Sequence, residues 1–121
     1  MRKIVFIVSL FVLFVSCDKD DLAKEIDKNK LLELVNKSRI EGCNCGNTAY
    51  PAVGKVVWND LLEEAAKNHS KDMNKSNELT HTGSDNSSPG DRITQVGYVW
   101  GTYAENVAWN YTTEESVIRG W

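Results

Sequence analysis

Leu62, Ala65, Ala66, His69 and Met73 recur at helical spacing after Asp60, and this stripe limits what the chain can fold into more than any other feature. Asp60 reads as the N-cap, with Glu63 three residues later completing a capping box. A single helix with one apolar face gains little from propensity alone. It is stable only where other elements cover that face, so the rest of the chain must fold around this segment. His69 lies on the stripe itself. A histidine there is expected to be a packed, hydrogen-bonded core residue rather than a ligand.

The flanking segments supply the covering elements. Leu31, Leu34, Val35 and Ser38 fall at helical spacing from about Asn29, and Gly42 stops that helix. Gly46, Asn47, Thr48, Pro51 and Gly54 mark a long loop, closed by a strand-like run at Val56, Val57 and Trp58. Residues 74–91 are rich in Asn, Ser, Gly and Asp. Ser88 followed by Pro89, with Asp91 at the third position, announces another helix that turns Ile93 and Val96 inward and ends at Gly97. Tyr98-Val99-Trp100 and Glu105–Trp109 read as strand or strand-edge pieces. Thr112 with Glu115 predicts a last capped helix carrying Val117, Ile118 and Trp121. Helices interleaved with short extended pieces give an α+β class.

Only part of the 121 residues belongs to that domain. Arg2 and Lys3 precede an apolar run from Ile4 to Val15, too short to span a bilayer as a mature helix, and then Ser16 and Cys17. Residues 1–16 therefore read as a signal peptide. Phe14-Val15-Ser16-Cys17 resembles a bacterial lipoprotein cleavage box, with Phe14 where leucine is usual. Cys17 is then the acylated N-terminus, holding the protein to a membrane by its acyl chains. Asp18-Lys19-Asp20-Asp21 resembles the lysine-plus-acidic tag that sends lipoproteins of some Bacteroidetes to the cell surface. Residues 17–28 form the acylated cysteine and a charged tether, and 29–121 the domain. These features place the protein in the bacterial cell envelope, lipid-anchored and exposed at the outer membrane surface.

Loss of Arg2 and Lys3 lowers the basic count from 14 to 12 against 17 acidic residues. No basic stripe exists, so nucleic acid is excluded as a partner on electrostatic grounds. Export implies a disulfide-permissive setting. With Cys17 committed to lipid, Cys43 and Cys45 remain, and two readings stay open for them: a tight-turn disulfide, or a partner beyond Trp121. A lone C-x-C is a weak zinc signal.

His81-Thr82-Gly83 and Ala104-Glu105-Asn106-Val107-Ala108 set an imidazole and a carboxylate at the ends of two polar-to-apolar transitions, with turn-rich chain between. Together with Leu31–Ile40, Val57-Trp58-Asn59, Leu61–Met73, Ser88-Pro89-Gly90-Asp91-Arg92, Gly97-Tyr98 and Val117–Trp121, in that order, these segments resemble the bacterial CAP family. These are the SCP-like domains related to cysteine-rich secretory proteins, antigen 5 and pathogenesis-related proteins. The resemblance covers nearly all of residues 29–121. It implies an α-β-α sandwich with a central cavity lined by two histidines and two acidic residues, able in some members to bind a divalent metal such as zinc.

His81 matches the first histidine and Glu105 the first glutamate. Ala104 replaces the usual glycine, which predicts only a small adjustment. The second histidine, in a Pro-Gly-His stretch, and the closing strands are expected after Trp121, so the chain is expected to be the N-terminal part of a longer product.

Three functions follow. The first is a non-catalytic, surface-anchored binding module for a lipid or protein ligand, whose His81/Glu105 cavity holds a divalent metal weakly. The second is a metal-assisted, protease-like hydrolase with Glu105 or His81 as general base. The third is a pure scaffold in which the two residues only tie loops to the core. No nucleophile elbow, HExxH or paired-carboxylate motif is present, and Ser84 sits in turn-forming sequence. No catalytic residue is assigned. The aromatics Tyr98, Trp100, Tyr103, Trp109 and Tyr111 are given no site.

Overall fold

The structure is a computed structural model that describes residues 26–121. The signal peptide at 1–16, the acylated Cys17 and the tether up to residue 25 lie outside the described residues. Among the described residues four helices and one hairpin follow in the order α1 (Lys28–Glu41), β1 (Cys43–Cys45), β2 (Thr48–Tyr50), α2 (Asp60–Ser76), α3 (Pro89–Gln95) and α4 (Glu114–Gly120). α1 packs against α4, and α2 against α3. The class is α+β.

α2 is the helix foreseen from the stripe, and Ala65, His69 and Met73 are its buried residues. Its cap is displaced by one position. Asn59, not Asp60, is the N-cap, accepting from the backbone N–H groups of Leu61 and Leu62. Glu63 is thereby released from any capping box. Its carboxylate instead accepts from Lys28 and Lys67, each at 2.6 Å, and from the Trp58 indole at 2.8 Å. These bonds hold the Glu63 carboxyl down at about 2, with Lys28 the largest cause and Lys67 next. The same one-residue shift recurs at α4, where Thr113 and Ser116, rather than Thr112 and Glu115, make the capping box. In both places two cap-competent residues are adjacent, and sequence cannot choose between them.

α1 starts at Lys28 under an Asp27 cap that accepts from Asn29 and Lys30. Asp27 and Lys28, read as tether, are therefore ordered parts of the domain. The Asp27 backbone N–H also donates to Glu114, and Lys30 pairs with Glu115, which fastens α4 to the start of α1.

The extended segments differ most from expectation. The strands lie at Cys43–Cys45 and Thr48–Tyr50, the second of them within the segment read as loop, while Val56-Val57-Trp58 joins no strand pair among the described residues. The Asn36 side chain explains the second fact. Its Nδ2 donates to the Val56 carbonyl at 3.0 Å and its Oδ1 accepts from the Val56 N–H at 2.8 Å. One amide thus satisfies the backbone groups that a neighbouring strand would have paired. Tyr98–Trp100 and Glu105–Trp109 likewise form no ladder among the described residues. Cys43 and Cys45 lie in β1, unbridged and exposed.

Candidate functional site

The loop between α2 and α3 builds the site from its own polar side chains. Asn77 closes α2 in the left-handed conformation, its N–H reaching the Met73 carbonyl. Asn86 takes the same conformation within the turn, where Gly83 donates to Ser87 and Asn86 donates to Gly83. Asparagine tolerates these angles because its short amide can hydrogen-bond locally. Ser84 is held to α2 by Asp72, which accepts from both its backbone N–H, at 2.8 Å, and its hydroxyl. This contact lowers the Asp72 carboxyl below its usual range, and Ser87 and Ser88 do the same for Asp85 and Asp91. Ser84 is a turn residue.

His81 and Glu105 meet as the sequence suggests. His81 Nδ1 lies 2.8 Å from Glu105 Oε2, with the imidazole side chain 57 % exposed and the carboxylate 20 %. An ionised carboxylate can only accept, so Nδ1 carries the proton and donates. In the neutral ring Nε2 is then bare and faces solvent. Ala104 needs no glycine-like backbone, since the left-handed non-glycine residues among those described are Asn77, Asn86 and Asn110.

The residue that organises the site is Arg92, which sequence reasoning quoted within a motif without a role. It is 7 % exposed. Its guanidinium donates to Glu105 Oε1 at 2.7 Å, to the Ser87 carbonyl at 2.9 Å and to the His81 carbonyl at 3.2 Å. The planar fork of arginine suits such simultaneous contacts. Arg92 therefore fixes the backbone of His81 and, through Glu105, the orientation of its ring. The available signal was the position itself: three residues into a short capped helix whose partners are apolar, a charged side chain must reach across to acceptors.

Both Glu105 oxygens are engaged, one by an imidazole and one by a guanidinium. Zinc takes three or four protein ligands. Here His81 Nε2 is one open donor, and the nearest carboxylate is neutralised by Arg92. Among the described residues no group of three or more His, Cys, Asp or Glu is placed to hold a metal ion. The described residues do not by themselves make up a resident metal site.

A cleft of about 330 Å³ adjoins this triad, lined by Leu62, Ala66, Ile93, Tyr98, Trp100 and Tyr103, with Arg92 and Glu105 also on its wall. Trp100 and Tyr103 meet edge to face, with centroids 4.7 Å apart. Gly90 makes this possible: a Cβ there would stand 2.7 Å from Tyr103 and 3.0 Å from Trp100. The Trp100 indole is further fixed by Thr94 at 3.0 Å. Three aromatics that the sequence left without a site thus line one cleft, two of them packed over a glycine. On the other side of Arg92 a polar cleft of about 340 Å³ is lined by Glu64, His69, Asp72 and Asp85. His69 is buried at 3 % exposure and bonds the Thr80 carbonyl at 2.8 Å through Nε2, the core role expected of it.

Residues 107 in extent are 25 % identical to a Bacillus subtilis (strain 168) protein described as the uncharacterized membrane protein YlbC. The match takes in 88 % of this chain, which spans 28 % of that relative's length. No solved structure matches the chain. Among the described residues no helix is long and apolar enough to cross a membrane. The family model of the cysteine-rich secretory protein family, CAP, matches residues 32–121. With α2, α3, α4, most of α1 and the His81–Glu105 pair inside that span, the chain belongs to the CAP family.

Proposed function

We propose that this CAP domain is a non-catalytic binding module, and that the aromatic cleft beside Arg92 and Glu105 receives a small ligand with an apolar body and a polar end. One observation carries the reading: the cleft beside Arg92 and Glu105 is walled by Leu62, Ala66, Ile93, Tyr98, Trp100 and Tyr103, an apolar surface with few polar groups on it. Glu105 is saturated by His81 and Arg92, and Ser84 gives its hydroxyl to Asp72. The cleft also has the volume that ligand sites have. A cleft of this kind, carried at the bacterial surface by acylated Cys17, gives a module that meets ligands outside the cell. The relation to a protein described as a membrane protein supports an envelope location.

The test uses N-phenyl-1-naphthylamine, an apolar fluorophore, titrated into the full chain. Enhanced emission with energy transfer from tryptophan is expected, and Trp100→Ala with Tyr103→Ala should abolish it. Unchanged binding in that double variant refutes the cleft as the site. Anchoring is tested separately by Cys17→Ser, which should release the protein from the membrane fraction.

A further inference from the structure

We propose that Cys43 and Cys45 form a two-coordinate thiolate site for a soft monovalent cation, Cu(I) in chemical class. The two cysteines occupy positions i and i+2 of β1, so their side chains leave the same face. Both are free and exposed. The register sets Tyr50 opposite Cys43 and Thr48 opposite Cys45, and among the described residues no third His, Cys, Asp or Glu joins the pair as a metal-binding group.

The pair is held apart by the hairpin. Cys45 and Thr48 flank a two-residue turn, Gly46-Asn47, with Gly46 at a φ of 58° and Asn47 outside the left-handed region. Positive φ at the first central position alone is the pattern of a type II′ turn, which matches strand twist and locks register. The far end is tied to α1, where Val53 donates to the Arg39 carbonyl at 2.8 Å and Arg39 Nε donates to the Gly54 carbonyl at 2.7 Å.

In such a strand the Cα atoms of i and i+2 lie about 6.6 Å apart, with roughly parallel Cβ vectors. A disulfide needs its Cβ atoms within about 4.5 Å, so the extended pair is too wide to close on itself. A cation bonded linearly to two sulfurs at roughly 2.3 Å each needs a sulfur separation of only about 4.6 Å. Each side chain reaches that by leaning inward by about 1 Å. Thiolates select Cu(I) among the biological cations that accept two ligands. Binding breaks two S–H bonds, forms two metal–sulfur bonds and releases two protons to solvent, with no change of oxidation state.

The experiment uses the full chain carrying Cys17→Ser, reduced and anaerobic, titrated with Cu(I) against bathocuproine disulfonate and with Ag(I) as a redox-inert stand-in. One ion per chain is expected. Cys43→Ser and Cys45→Ser should each weaken binding by about a hundredfold or more. Gly46→Val, which keeps both thiols but disfavours the turn, should weaken it by about tenfold. Retention in either serine variant, equal affinity in Gly46→Val, or formation of one intramolecular disulfide on exposure to air would each overturn the proposal.

Discussion

Replacing Arg92 by methionine isolates the residue on which the site depends. Methionine fills much of the same volume, so the change chiefly removes the guanidinium. Three acceptors lose it: Glu105 Oε1, the His81 carbonyl and the Ser87 carbonyl. Ser87 keeps the Gly83 N–H at 2.9 Å, so its loss is small. The His81 carbonyl loses both of its guanidinium bonds. Glu105 keeps His81, yet its carboxylate is mostly out of water and loses its charge partner. Removing one member of a buried pair costs about 3–5 kcal/mol. The remaining imidazole contact and partial exposure bring the expectation to about 3 kcal/mol, a fall in Tm of roughly 12–24 °C for a domain of this size.

Urea or thermal unfolding followed by circular dichroism measures it. His81→Ala is the contrast. The imidazole is largely exposed, so its removal should cost less than about 1 kcal/mol. Glu105→Leu added to Arg92→Met should cost less than the sum of the two changes, because the stranded charge is then gone. A loss below about 1 kcal/mol in Arg92→Met, or strict additivity in the double variant, would refute the view that Arg92 supports the site by neutralising Glu105.

Other expectations concern the frame and the cleft. Glu63 is held at about 2 in the folded protein against an ordinary 4.5, so its contribution is complete above pH 4.5 and is lost as pH falls toward 2. Glu63→Gln should therefore flatten the stability profile in that window, as read by acid titration of the circular dichroism signal. At Gly90, alanine gains up to about 1 kcal/mol of helix propensity but overpacks Tyr103 and Trp100 at a cost of about 1–3 kcal/mol. Net destabilisation with a red-shifted tryptophan emission is expected, and a stabilised variant with unchanged emission would contradict the contact. Asn36→Ala removes both bonds to Val56 and should speed amide exchange at residues 54–58, measured by hydrogen exchange.

Local chemistry was legible where it is set by a few neighbouring residues. The α2 stripe, the Ser88/Asp91 box under Pro89 and the Gly42 stop all follow from spacing and dihedral preference. The caps at Asn59 and Thr113 were missed by one residue because the competing residue is chemically equivalent. The hairpin at 43–50 was missed because its turn residues were read as loop, and because strand pairing is settled by the register between segments. His81 and Glu105 were recognised as a pair through their motifs, whereas Arg92 was passed over.

Sequence by itself determined the helices, the core role of His69 and the α+β class, because periodicity, caps and ordered motifs are local properties. Tertiary structure alone decided that Arg92 neutralises Glu105, that Asn36 replaces a strand neighbour, that three aromatics line one cleft and that Cys43 and Cys45 stand on one face of a hairpin strand. Each of these is a contact between segments distant in the chain, or a spacing fixed by register, and a side chain's charge and hydrogen-bonding capacity are spent only where packing places its partners.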